Sequence, residues 1–317
     1  MTDKLAIYAR FLSRWATFLF YCLILVFLLF YLQHLDLKKL LTVRIEWKYM
    51  LASFALSLGV RYWGALIWFV SLAGLGAKNL SQKSELVYVY AKSWLGRYIP
   101  GTAPWILGKI YFASQHGVSK EKLAVSALLE SGLQILATLI LGSAILFADG
   151  RSGVINAEYI EWVAVLLCVG LFFMLPTVFN HSISMVYRLF RKKPLAPEHH
   201  VNADLILKCA LLFSLRALLN GLSLLFIVLS IAPDFDLGNT LFVIGANCFA
   251  IAISMLAVFA PGGIGVREGT LLILMNFVVA PEPALAVVIL ARLWNILIDI
   301  VFLGASYLLQ KSPVKPG

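Results

Sequence analysis

The chain has 317 residues, 61% of them hydrophobic and only 13% charged, against roughly a quarter charged in soluble domains. With a mean hydropathy of +0.90, this excludes a soluble globular enzyme and points to an integral membrane protein. The formal charge of +10 falls on loops and buried positions, not on an aromatic-laced basic module; that suits anionic lipid headgroups and excludes nucleic acid as a partner.

Apolar runs close to the ~20 residues that cross a bilayer recur along the chain, so its spans are α-helices and not the ~10-residue alternating strands of a barrel. Lys4, Arg10 and Arg14 precede an apolar run that starts at Trp15. That run is longer than the core of a signal peptide and lacks a small-residue cleavage site, so it is expected to be a retained anchor. Full spans are expected at roughly 15–35, 49–72, 122–148, 159–180, 205–230 and 284–310. With the N-terminus cytoplasmic, the inner segments carry Lys4, Arg10, Arg14, Lys78, Lys83, Lys120, Lys122, Arg188, Arg191, Lys192, Lys193, Lys311 and Lys315. The outer ones carry Lys38, Lys39, Arg44, Lys48 and Arg151. The positive-inside bias favours that orientation, with both termini cytoplasmic in a plasma (inner) membrane.

Two segments do not fit as plain spans. Residues 85–112 are broken at Pro100-Gly101 into arms too short to cross, and both flanks face inside. Residues 240–280 are broken at Pro261-Gly262-Gly263, and both ends face outside. Each reads as a re-entrant hairpin, the two entering from opposite faces. The steps from span centre to break to span centre are about 40 and 35 residues in the first half and about 44 and 36 in the second. The expected fold is therefore an all-α polytopic membrane protein, about six full spans plus two opposed re-entrant hairpins in an inverted repeat, in a single transmembrane domain. Half A covers about 1–150, half B about 151–310, and a basic tail 311–317. Such repeats place a substrate near the midplane, between broken helices.

Charge is unusually frequent at membrane depth. Arg61, Lys92, Arg97, Lys109, Lys208, Arg216, Arg267 and Arg292 lie in or against membrane segments, with Glu130, Glu268 and Asp299 as the chief embedded acids. Each charge at the bilayer centre costs at least ~2.5 kcal/mol, so such residues face a cavity or a partner; Lys92 and Lys208, near segment ends, are expected to snorkel. Helical spacing puts Arg292, Asn295 and Asp299 on one face, as it does Glu130, Gln134 and Thr138, and Arg216, Asn220 and Ser223. Hydrogen bonding between helices accounts for the amides and hydroxyls. Eight cations against three acids leave an excess of five that calls for counter-charge, and arginine forks suit phosphate.

The stretch FAPGGIGVREG (259–269) carries the sharpest signal. Pro261 stops the first arm, while Gly262, Gly263 and Gly265 admit backbone conformations closed to other residues. A half-helix beginning near Val266 then turns free N–H groups toward an anion site beside Arg267. Glu268 is expected to pair with Arg267 or Arg292, or to complement the dipole. In the first hairpin Pro100-Gly101 makes the break, Thr102 can cap the half-helix starting at Ala103-Pro104, and Arg97 and Lys109 flank it. The expected substrate-binding set is Arg97, Pro100, Gly101, Lys109, Glu130, Arg216, Pro261, Gly262, Gly263, Gly265, Arg267, Glu268 and Arg292. Cys22, Cys168, Cys209 and Cys248 lie in apolar segments without CxxC spacing and read as small core hydrophobes. The scattered histidines give no metal-ligand spacing, and no cofactor is expected.

PGGIGVREG, the earlier RYIPGTAPWILGKIYFASQHGVS, and the helices ALLESGLQILATLILG and ARLWNILIDIVFLG resemble the flippase-like transmembrane family that includes the lysylphosphatidylglycerol synthase membrane domain. The resemblance covers nearly the whole chain, and PGG-G-xRE is its specific part. The first hairpin departs from the pattern by lacking an acidic residue, and Glu130 is followed by Ser131 where the family often has arginine. The resemblance implies translocation of a polar or anionic lipid between leaflets, with Arg267 and Glu268 in the headgroup region. Larger members carry a soluble aminoacyl-transferase domain; this chain ends at Gly317 and is expected to make no lipid itself. The expected activity is thus a flippase for an anionic or phosphate-bearing lipid (phospholipid, aminoacyl-phospholipid or polyprenyl-phosphate-linked lipid), not an enzyme. Its partners are membrane lipids and the enzymes of lipid or glycan biosynthesis. Two alternatives stand beside it. One is a membrane glycosyltransferase acting through Asp36, Glu46, Asp149, Glu158, Glu161, Asp234 or Asp236. The other is a non-transporting partner of a lipid-modifying complex.

Overall fold

A computed structural model describes residues 44–78, 80, 82–98, 103–149, 157–191, 195–257, 260 and 263–311. The first expected span, 15–35, the Arg151 loop and the tail beyond Lys311 lie outside the described residues, as do Pro100, Gly101, Thr102, Pro261 and Gly262. The described chain is helical: α1 (Trp47–Gly74), α2 (Lys83–Trp94), α3 (Ala103–Ser114), α4 (Lys120–Ala148), α5 (Ala157–Met174), α6 (Pro176–Arg191), α7 (Ala203–Ile231), α8 (Thr240–Leu256), α9 (Val266–Met275) and α10 (Pro281–Lys311). Among the described residues, five helical segments are long and apolar enough to cross a membrane, six if α5 and α6 count as one bent span. The protein is a multi-pass membrane protein.

Local chemistry sets the helix ends. Ser119 caps α4 by accepting from the Lys122 N–H, and Asn202 caps α7 by accepting from the Leu205 N–H. The long helices then pack through small residues, since lipid supplies no hydrophobic drive for helices to associate. Ser53 of α1 donates to the Ser223 carbonyl of α7 at 3.0 Å, so Ser223 joins these helices. At the α4–α8 crossing, a Cβ on Gly142 would lie 2.6 Å from the Phe249 backbone nitrogen, so glycine is what allows this approach.

The expected span 159–180 is corrected: α5 ends at Met174 and the chain bends by 80° into α6. Pro176 is the physical reason, because it has no N–H for the preceding turn and disfavours helical backbone at Leu175. α6 is amphipathic, with Phe179, Ile183 and Tyr187 buried and Met185, Arg188 and Leu189 exposed. The arms of the first expected hairpin, α2 and α3, have 12 residues each, about 18 Å of helix and too short to span. In the second, α9 has 10 residues, but α8 with its preceding turn, Leu237–Leu256, has 20 and is long enough to cross. Cys209 and Cys248 are buried as expected, whereas Cys168 is exposed on α5, where apolar surface faces outward.

Candidate functional site

Between the helices lies a cavity of about 610 Å³. Arg61 of α1, Arg97 of the turn after α2, Arg216 of α7, Arg267 of α9 and Arg292 of α10 form its cationic wall, with Gln134, Asn220 and Asn295 beside them. Its apolar wall comes from α4 through α6 and from α8, with Leu128, Ile135, Phe173, Phe179, Ile183 and Met255. No carboxylate lines it among the described residues.

Asp299 ties the cationic wall together from behind. Arg61 Nε donates to its Oδ1 at 2.6 Å and Trp94 Nε1 to the same oxygen at 3.1 Å. Tyr98 donates to Oδ2 at 2.6 Å, and Arg97 Nη2 lies 2.8 Å from that atom. Arg61 also reaches Asn295 Oδ1 at 2.7 Å, so two residues of the α10 face anticipated in the sequence meet one residue of α1. The Trp94 ring lies beneath three guanidinium groups, those of Arg97, Arg216 and Arg61, at 4.6, 5.2 and 5.8 Å from its centroid, as cation–π attraction favours.

At the second break, Gly263 and Gly265 have φ of 67° and 84°, left-handed values that suit glycine. The chain turns there and α9 begins at Val266, as the sequence predicts. Glu268 fills both of its expected roles: its Oε2 accepts from the Gly265 N–H at 2.7 Å, and its Oε1 pairs with Arg292 at 3.2 Å. Arg267 is left with the neutral Asn247 Oδ1 at 3.4 Å.

Lys109 and Glu130 form a separate pair, 2.9 Å apart with side chains 1% and 5% exposed. The Lys109 ammonium lies 4.6, 4.7 and 5.4 Å from the ring centroids of Tyr90, Trp105 and Trp68. Neither residue lines the cavity.

Of the residues singled out by sequence, Arg97, Arg216, Gly263, Arg267 and Arg292 thus line the cavity, while Glu268 and Gly265 support its edge. The expected excess of five cations falls to three. Lys208 pairs with Asp204 at 2.8 Å on the exposed start of α7, and Lys92 lies over the Phe112 ring at 4.1 Å. Six embedded cations then face three acids.

A family model for the lysylphosphatidylglycerol synthase transmembrane region matches residues 13–302. The chain belongs to this family. No curated protein and no solved structure matches it. Membership in the lysylphosphatidylglycerol synthase transmembrane-region family agrees with the resemblance carried by PGGIGVREG and associates the membrane helices with lipid. Trp94, Trp105, Tyr98 and Asn247 complete the site but were not singled out by sequence reading. Arg61, Asn295 and Asp299 stood out there as embedded polar groups without an assigned place. The one available signal for Trp94 and Tyr98 was their position on either side of Arg97 in SWLGRY.

Proposed function

We propose that the protein moves an amphipathic lipid with an anionic or phosphate-bearing headgroup between leaflets, by alternating access around two opposed hairpins. The observation that carries this reading is the cavity's mixed lining, five arginines together with many aliphatic and aromatic side chains. A headgroup and its chains need both. The 80° bend between α5 and α6 supports entry from the side: α6 contributes Phe179, Ser182, Ile183 and Val186 to the cavity and carries the exposed Arg188. On the topology read from the sequence, this puts an interfacial helix at the cytoplasmic face of the inner membrane, where anionic lipids attract basic groups.

The helix contacts support an inverted repeat. Exchanging α1 with α7, α2 with α8, α3 with α9 and α4 with α10 turns the packed pair α4–α8 into α10–α2, α4–α7 into α10–α1, and α3–α4 into α9–α10, and each of these pairs is packed. The ion pairs follow the same exchange, for Lys109–Glu130 joins α3 to α4 as Glu268–Arg292 joins α9 to α10. Length alone lets α8 cross, so the hairpin reading of 240–280 rests on this correspondence and on the short α9.

Transport rather than catalysis is the assigned activity. Among the described residues, the loop acids Glu46, Asp149, Asp234 and Asp236 do not line the cavity: Glu46 lies near Lys48, and Asp236 accepts from the Gly238 N–H. The test is reconstitution of purified protein into liposomes with fluorescent phospholipid and polyprenyl-phosphate probes, alongside Arg267→Ala and Arg292→Ala. Movement that is lost in both variants is expected. Failure to move any probe, or activity abolished by alanine at a loop acid and retained without the arginines, would refute the reading.

A further inference from the structure

Three guanidinium groups converge on the Trp94 indole, and Asp299 serves only two of them, Arg61 and Arg97. The third, Arg216, is 4% exposed. Among the described residues its one side-chain acceptor is the neutral amide oxygen of Gln134, at 3.3 Å, and its Nε has no acceptor. On the other side of the Asp299 cluster, beyond Tyr98, Arg292 lies over the Tyr98 ring and takes up Glu268. Arg267 is thereby left with Asn247. Among the described residues, the Nε of Arg267 has no acceptor, nor has Nδ2 of Asn247, which is only 1% exposed. The unsatisfied atoms of both sets are therefore all donors. Water brings donors as well as acceptors, whereas a phosphoryl oxygen only accepts and suits a guanidinium fork.

The charge count points the same way. Five arginines line the cavity, two carboxylates stand behind them, and three positive charges remain. One phosphodiester would offset one. A lysylated phosphatidylglycerol headgroup, with one phosphate and two ammonium groups, is itself net positive and would set donors against donors. We propose that the arginine cluster holds a diphosphate-type headgroup, its phosphoryl oxygens shared among the cavity-lining guanidinium groups that include Arg216 and Arg267, with its hydrocarbon on the apolar side chains of α4 and α6. This rests on the lipid-transport reading and narrows it to lipids whose headgroups carry two adjoining anionic phosphoryl groups.

Titration of the purified full-length protein in detergent with farnesyl diphosphate, farnesyl phosphate, inorganic pyrophosphate and lysylphosphatidylglycerol tests the assignment. Farnesyl diphosphate should bind about tenfold tighter than farnesyl phosphate and than pyrophosphate, with lysylphosphatidylglycerol weakest. Gln134→Glu keeps the side-chain size and sets a carboxylate against Arg216. It should reduce the preference for diphosphate over monophosphate to about twofold, and Arg267→Gln should do the same from the other side. Equal or tighter binding of farnesyl phosphate or lysylphosphatidylglycerol would overturn the assignment. Pyrophosphate binding as tightly as farnesyl diphosphate would overturn its lipid part. The liposome assay separates the two ideas: the affinity order without lipid movement refutes transport alone, and movement without the order refutes the headgroup assignment alone.

Discussion

Lys109 and Glu130 give the strongest single perturbation available in the fold. The pair is nearly inaccessible, with Nζ 2.9 Å from Oε2, while Glu130 Oε1 has no hydrogen-bond partner among the described residues. Lys109→Met leaves a carboxylate in an apolar setting without its cation, and breaking a buried pair from one side costs about 3–5 kcal/mol. It also removes the ammonium from among Trp68, Tyr90 and Trp105, contacts worth about 0.5–2 kcal/mol each. Replacing both residues, as Lys109→Met with Glu130→Met, removes the stranded charge and should recover most of the loss, since apolar substitutes for buried pairs are often neutral. Thermal and denaturant unfolding followed by tryptophan fluorescence, arranged as a double-mutant cycle, should give a coupling of about 3 kcal/mol. A single variant that unfolds within about 1 kcal/mol of wild type would refute the claim that the pair clamps α3 to α4. Because neither residue lines the cavity, the double variant should keep lipid movement. Loss of movement in a folded double variant would put the pair in the transport cycle.

Two substitutions test the close approaches. Gly142→Ala would set a Cβ 2.6 Å from backbone of α8 and force the α4–α8 crossing apart. A loss of about 1–3 kcal/mol is expected in the same unfolding assay, and an unchanged midpoint would mean the crossing is looser than described. Gly263→Ala meets both a φ of 67° and Ser254 Cβ at 2.6 Å, whereas Gly269, inside α9, has nothing within 4 Å. Gly263→Ala should therefore destabilise by more than about 1 kcal/mol while Gly269→Ala stabilises by about 0.5–1 kcal/mol, and equal effects would argue against the left-handed turn before α9.

The helical class and the helices α1, α4, α7 and α10 were legible because lipid demands long apolar runs, which composition records directly. The starts of α3 and α9 were legible too, since proline, glycine and charge at membrane depth have few other uses. Pairing was not. Arg61 meets Asp299 across 238 positions, and helical periodicity tells which face a residue occupies but not which distant helix it faces. The bend at Leu175 was missed because apolar length outweighed Pro176, and the first residues of α6, 176–180, were counted in the span. Lys92 and Lys208 are exposed, as expected from their long stems near segment ends, and the excess of five falls because it had still counted them.

The two ion pairs related by the proposed repeat are not equivalent, and the difference bears on how a headgroup would pass. In half A the short arm carries the cation, Lys109, and the following helix the anion; in half B the arm carries the anion, Glu268, and the following helix the cation, Arg292. The first pair is closed under three aromatic rings, whereas the side chains of the second are 24% and 17% exposed at the cavity edge. A phosphoryl group can compete with Glu268 for Arg292 while remaining in the cavity. To compete with Glu130 for Lys109 it would have to enter the aromatic enclosure. On the proposed function, the Glu268–Arg292 pair is therefore the one of the two that a headgroup in the cavity can reach.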